Sequence, residues 1–146
     1  MKKILVAFAI FASAVAANAE DKVITFGEIP QSAQEFSNAT FKGKKIASAQ
    51  KETMLFGSIT EGYKVVFTDG TKIEFMAGGE WKSVDCRYGS VPEAIVPKQI
   101  KDYLAQNYPQ AVVLGIDYER KQYEVRLNNH LELTFDKNFR LIDIDD

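Results

Sequence analysis

One pattern is written twice in this chain, and it constrains the fold more than any other feature. The first copy runs Tyr63-Lys64-Val65-Val66-Phe67, Asp69-Gly70, Ile73-Glu74-Phe75, then Trp81 and Val84-Asp85. The second runs Tyr123-Glu124-Val125-Arg126-Leu127, Asn129-His130, Leu133-Thr134-Phe135, then Phe139 and Ile142-Asp143. Successive side chains point to opposite faces of a strand, so this alternation predicts a strand, a tight turn, a strand, a loop and a closing strand in each copy. Asp69-Gly70 is a strong hairpin signal because glycine takes positive φ at no steric cost. Such short turns leave no room for crossovers, so the pairing is antiparallel.

A helix precedes each copy. Ile29-Pro30 opens the first, since proline suits the first helical turn, and Ile29, Ala33, Phe36 and Phe41 fall on one side. Val96-Pro97 opens the second, with Val96, Ile100, Tyr103, Leu104 and Tyr108 at amphipathic spacing and Pro109 as its stop. The helix positions Ile29 and Val96, Phe36 and Tyr103, and Phe41 and Tyr108 each lie 67 residues apart. Tyr63 and Tyr123, and Phe75 and Phe135, lie 60 apart. The seven-residue difference falls in Thr53–Gly62, read as a loop or a loosely ordered hairpin end, punctuated by Gly57 and Gly62. Its Met54-Leu55-Phe56 is conspicuously apolar, as a functional loop or as a packed flap.

The remaining elements follow the same logic. Val23 to Phe26 is a strand-like patch in the lead-in. Lys45 to Lys51 reads as a strand with Ile46, Ser48 and Gln50 on one face and Ala47 and Ala49 on the other. Trp81–Cys86, Ala111–Glu119, Leu131–Phe135 and Phe139–Ile144 are further strands, and Arg87–Ile95 is a linker with Gly89 and Pro92. The expected fold is α+β: two tandem helix-plus-four-strand repeats, about 28–86 and 95–146, forming one antiparallel sheet with both helices packed on one face. A half of about 50 residues is marginal alone, which favours one continuous sheet.

The amino terminus reads as a targeting segment. Lys2 and Lys3 precede the apolar run 4–17, fourteen residues against the roughly 20 that a spanning helix needs. Ala17-Asn18-Ala19 is a small-residue cleavage site, so cleavage is expected after Ala19, leaving a single domain over 20–146. The reading is a secretory signal, a periplasmic or secreted product, and no membrane span after cleavage. The full chain carries a formal charge of −2; loss of Lys2 and Lys3 takes the mature chain to −4. Mild acidity argues against nucleic acid as a partner.

Few side chains suit catalysis. His130 is the sole histidine, in a turn beside Asn129, where a solvated role outweighs a general base. Serine or cysteine nucleophilic chemistry would have to use it. Cys86, the sole cysteine, cannot form an internal disulfide; it either bridges to another molecule or sits buried, and its place after a strand favours burial. One histidine and one cysteine make a zinc site improbable, and Gly78-Gly79 lacks the spacing and following helix of a phosphate loop. Asp143, Asp145 and Asp146 with nearby Asp136 read as a solvated acidic tail rather than a calcium site. No enzyme, cofactor or metal is expected.

The chain resembles the PepSY-like family of exported bacterial proteins, related in shape to the beta-lactamase inhibitor protein. The residues that carry the resemblance are Ile29-Pro30, Val96-Pro97 and Tyr108-Pro109. The sheet motifs Tyr63-Lys64-Val65, Asp69 to Phe75, Trp81 to Cys86 and Tyr123 to Leu127 add to it, over about residues 28–146. Phe41-Lys42 stands where the second half has Tyr108-Pro109, and Asn129-His130 where the first has Asp69-Gly70. The resemblance implies a two-repeat α+β fold with a long antiparallel sheet. The inhibitor it is shaped like binds an enzyme with the open sheet face, but a fold does not carry a partner with it.

If helices cover the Tyr63, Val65, Phe67 face, the opposite face bears Lys64, Val66, Lys72, Glu74 and Met76 from one half. From the other half it bears Glu124, Arg126, Glu132 and Thr134. Lys64, Lys72, Glu74, Met76, Glu124, Arg126 and Glu132 are the candidate partner-binding residues, because a mixed-charge platform supplies orientation and specificity. Trp81 is either an exposed anchor or, by its match to Phe139, a core residue. The expected function is an exported, non-catalytic protein-binding or inhibitor-like module whose partner is an envelope or periplasmic protein. The alternative is a small-ligand or metal-ion carrier.

Overall fold

In the computed structural model, which describes residues 20–146, nine strands join in chain order into one antiparallel sheet. They are β1 (Glu20–Ile24), β2 (Ile46–Met54), β3 (Ile59–Phe67), β4 (Lys72–Met76), β5 (Trp81–Asp85), β6 (Val113–Glu119), β7 (Gln122–Leu127), β8 (Glu132–Phe135) and β9 (Leu141–Asp145). Helix α1 (Gln31–Thr40) precedes β2, and α2 (Lys98–Asn107) lies between β5 and β6. The expected signal segment, residues 1–19, lies outside the described residues.

The α+β class and the single antiparallel sheet stand as expected. Both helices start on proline caps of the same geometry, Pro30 at φ −52° and Pro97 at φ −53°, and end on aromatic caps of like geometry, Phe41 at φ −119° and ψ 53° and Tyr108 at φ −138° and ψ 59°. Pro109 is therefore not needed to stop a helix here, since Phe41-Lys42 does it equally well. The helices cover one face. Ala33, Ile100 and Leu104 are buried with Val65, Phe67, Ile73, Phe75, Val84, Ile116, Val125, Leu127, Leu133 and Phe135 in one core. Phe36 packs edge-on to Phe75 and Tyr103 edge-on to Phe135, at 5.9 and 5.5 Å between centroids. Trp81 stacks on Phe36, which places it in the core; its register partner is Phe75, as that of Leu141 is Phe135. The position matching Trp81 is thus Leu141, and Phe139 sits in the preceding turn at φ 62°.

Three expectations are corrected. First, β1 is a ninth strand at the sheet edge, with one neighbour among the described residues; it covers 20–24 rather than 23–26. Second, Thr53–Gly62 is mostly strand. Thr53 is buried and its hydroxyl donates to the Glu20 carbonyl, so β1 extends the pairing of β2. Gly62 is no turn residue: it pairs with Met76, and a Cβ there would collide with the Phe75 carbonyl oxygen. Third, a bulge between Ile46 and Ser48 breaks the expected alternation of β2. An extra residue flips the phase, so Ile46 and Ala49 both face the core.

Candidate functional site

Alternation puts the helix-free face where the sequence places it. Lys64, Val66, Lys72, Glu74 and Met76, and Glu124, Arg126, Glu132 and Thr134, are all half-buried, interleaved with buried core residues. Sequence reasoning missed Glu52, Ser83, Asp85, Asp117, Asp143 and Asp145, which join them through register. Ser83 pairs with Glu74 and Asp117, Asp117 with Glu124, and Asp143 with Thr134. The signal was present in principle, because Asp117 adjoins the buried Ile116 and Asp85 the buried Val84. The β5–β6 pairing, however, joins segments separated by a helix, and no local pattern announces it.

Two of the candidate residues are held by ion pairs across strands. Lys64 Nζ lies 2.8 Å from Glu52 Oε1 and 3.9 Å from Asp21, linking β3, β2 and β1. Burial pulls its pKa down, but the hydrogen bond it donates to Glu52 and the charges of Glu52, Asp21 and Glu74 more than offset that and hold it above the usual lysine value. Arg126 spans the junction of the halves, 3.7 Å from Asp85 on β5 and 3.9 Å from Asp117 on β6. That junction has only three register pairs. Gly115 makes room for it: a Cβ there would run into the Arg126 guanidinium. Asp117 also accepts a 2.5 Å hydrogen bond from the Ser83 hydroxyl. Arg126 Nε is buried without a hydrogen-bond partner.

The two ends of the face differ in charge. On the first half, Lys64 and Lys72 balance Glu52 and Glu74. On the second, Asp117, Glu119, Glu124, Asp143 and Asp145 line a shallow trough of about 520 Å³, with Lys82, Arg120 and Ile142 on its walls. Burial, then the charges of Glu132 and Asp117, push Glu124 up to about 7. Glu124 is therefore partly protonated near neutrality and can be discharged by small changes in its surroundings.

The residues considered for chemistry do not converge. Cys86 is buried, and burial pushes its thiol pKa up, which disfavours the reactive thiolate. His130 is exposed at φ 70° in the β7–β8 turn, the conformation that Gly70 holds at φ 89° in the β3–β4 turn. Asp136 closes its own turn by accepting from the Asn138 and Arg140 amides. Among the described residues, no group of three or more His, Cys, Asp or Glu stands ready to hold a metal ion, and no helix is long and apolar enough to cross a membrane.

Against known proteins, the family described as "Putative beta-lactamase-inhibitor-like, PepSY-like" matches residues 61–143. No curated protein matches the chain. Among solved structures, a "putative calcium-regulated periplasmic protein" of Bacteroides thetaiotaomicron is 45% identical, with a TM-score of 0.81 over 86% of this chain and 97% of that one. A "putative periplasmic protein" of Bacteroides vulgatus is 44% identical, with a TM-score of 0.81 over 87% of this chain and 98% of that one. A second from the same species, of unknown function, is 34% identical, with a TM-score of 0.80 over 87% and 100%.

Proposed function

Since this chain belongs to the beta-lactamase-inhibitor-like, PepSY-like family, we propose that it is an exported, non-catalytic module that binds another protein of the periplasm on its helix-free sheet face. The observation that carries this reading is the face itself. It is a broad platform of half-buried polar side chains that no other part of the described chain covers, balanced in charge at one end and acidic at the other. A partner presenting basic groups to the acidic end would be oriented by complementary charge. The leader-like residues 1–19 support export, as does the periplasmic description of the related Bacteroides proteins. Cys86, buried in the core, and His130, in an exposed turn, do not line the acidic trough, which supports a role without catalysis.

We further read the molecule as two tandem units. The helices share cap geometry, and bulges recur at Ile46/Ser48 and Val113/Gly115 and at Glu74/Phe75 and Thr134/Phe135. Strand β1 stands outside the duplication.

The test avoids Lys64 and Arg126, whose ion pairs serve the sheet. The mature protein carrying Lys72→Glu and Glu132→Lys keeps its net charge. Crosslinking in the native periplasm followed by mass spectrometry should yield one dominant partner from the wild type and none from the variant. Equal capture by the variant overturns the face as the binding surface.

The alternative, a small-ligand or metal-ion carrier, draws on the word calcium in the description of the Bacteroides thetaiotaomicron relative. The acidic trough does not fit a calcium site well, since calcium needs six to eight converging oxygens and no metal-holding group of acidic side chains is assembled among the described residues. A calcium titration followed by native mass spectrometry decides: a retained ion supports the carrier, a clean apo mass removes it.

A further inference from the structure

The seven residues by which the first half exceeds the second lie in one hairpin. Strand β2 has nine residues where β6 has seven, β3 nine where β7 has six, and four residues join β2 to β3 where two join β6 to β7. The lengthened hairpin outruns its neighbours. Strand β1 pairs with β2 only as far as Thr53, and β4 with β3 only from Gly62, so at its tip β2 and β3 pair only with each other, through Thr53 with Thr60 and Met54 with Ile59. At the tip, Phe56 is 86% exposed, Leu55 48% and Ile59 45%. Residues 53–60 carry no charge, and none of 54–61 joins the core.

The backbone at the tip is strained. Leu55 and Phe56 sit in the left-handed region at φ 51° and 57°, followed by Gly57 at φ 83°. A bulky residue there is a conformational outlier. Strained conformations of this kind persist where the surroundings impose them and are concentrated at functional sites. Folding does not require the aromatic, because the other hairpin closes through Arg120 and Lys121 in the same left-handed region.

We infer that Leu55 and Phe56 form an apolar knob that inserts into an apolar pocket on the partner protein. The inference rests on the protein-binding role proposed above and names its anchor, since a large aromatic seated in a desolvated pocket dominates many interfaces. The occupant must be concave, because the tip is convex and unsupported on either side. Among the described residues, the two hollows a second copy would present, the trough on the sheet face and the smaller one between Glu20, Lys22, Glu28 and Lys51, are lined mostly by charged and polar groups, which do not match an apolar knob. An anionic lipid surface is disfavoured because the strand ends have no lysine excess, with Glu20, Asp21, Glu52 and Glu61 set against Lys22, Lys51 and Lys64.

The test places a benzoylphenylalanine crosslinker at position 56, at 121 on the other hairpin tip, and at 74 on the open face, in the full chain in its own periplasm. The expected result is an adduct from position 56, absent from 121, with a protein whose crosslinked peptide lines an apolar pocket. That protein, purified, should bind Phe56→Asn at least tenfold more weakly than wild type, while the melting temperature of the variant is unchanged or higher. Adducts from 56 only with lipid or with a second copy overturn the inference, as does equal affinity for Phe56→Asn. An adduct from 74 without one from 56 overturns the knob and leaves the sheet face as the binding surface. Silence from both positions overturns both readings.

Discussion

The β2–β3 and β6–β7 hairpins occupy matching places in the sheet, each following a proline-capped helix and each carrying a bulge near its start. They differ in what they do beyond the sheet. The second ends in two charged residues as soon as its pairing allows. The first continues, and closes on Leu55 and Phe56 in strained left-handed conformations. They also differ on the open face. Lys64 of β3 sits among carboxylates that steady its charge, whereas the matching Glu124 of β7 sits among carboxylates that oppose it. On the open face the same backbone plan thus yields a region where Lys64 pairs with carboxylates and one where carboxylates crowd together around Glu124. The lesson is that side chains at equivalent positions, not the architecture, set the two hairpins apart.

That contrast can be broken at its base. Gly62→Ala drives a Cβ into the Phe75 carbonyl, and backbone cannot yield as a side chain does. The expected cost is about 3 kcal/mol in urea unfolding; the matching Gln122→Ala should stay within about 0.5 kcal/mol. Equal effects would mean that the two hairpins approach β4 and β8 alike. Next in size, Arg126→Met should cost about 2 kcal/mol, because it leaves the buried Asp85 to the more distant, exposed Arg87 and takes the guanidinium away from half-buried Asp117 at the thin β5–β6 junction. Chemical denaturation that separates into two transitions in this variant would show Arg126 to be the tie between halves.

The third effect is on pH. The folded-state pKa of Glu124 lies near 7, above that of an ordinary carboxylate. Between about pH 4.5 and 7 the unfolded chain releases this proton while the native one keeps it, so stability falls as pH rises through that window. Below it the carboxyl is neutral in both states and costs nothing. Because the group is about half exposed, the loss is discounted to about 1–2 kcal/mol at pH 8. Glu124→Gln should flatten the melting temperature between pH 5 and 8 relative to wild type, and a parallel pair of profiles would refute the assignment.

At the tips, Phe56→Asn creates the Asn-Gly pair that best closes such a turn and should gain about 1 kcal/mol. Lys121→Gly should gain a similar amount. Stabilisation at both tips with loss of partner binding only at the first would sharpen the contrast between them. The smallest expected effect belongs to Lys72→Glu with Glu132→Lys, within about 0.5 kcal/mol by thermal melts, which makes any change in partner capture a statement about the surface.

Much of this was legible in the chain. The alternation of Tyr63 to Phe75 and Tyr123 to Phe135 assigns core and open faces, because a strand's two-residue period is a local property that burial on one side enforces. The paired prolines before Gln31 and Lys98 mark both helices, and the burial of Cys86 follows from its place after β5. By contrast, the bulge at Ile46/Ser48, the strand hidden in Thr53–Gly62, and β1 as a full edge strand depend on partners far along the chain. The same holds for the site. Lys64, Glu74, Glu124 and Arg126 could be placed on one face from sequence. Only the packing of β5 against β6 brings Asp85 to Arg126, and only burial in the assembled sheet, with Glu132 and Asp117 beside it, raises Glu124. Periodicity decides which side a residue faces, since it is fixed by bond geometry along the chain. Register across a junction, the electrostatics it assembles and the overhang of one hairpin past its neighbours arise between segments, so the tertiary structure alone decides them.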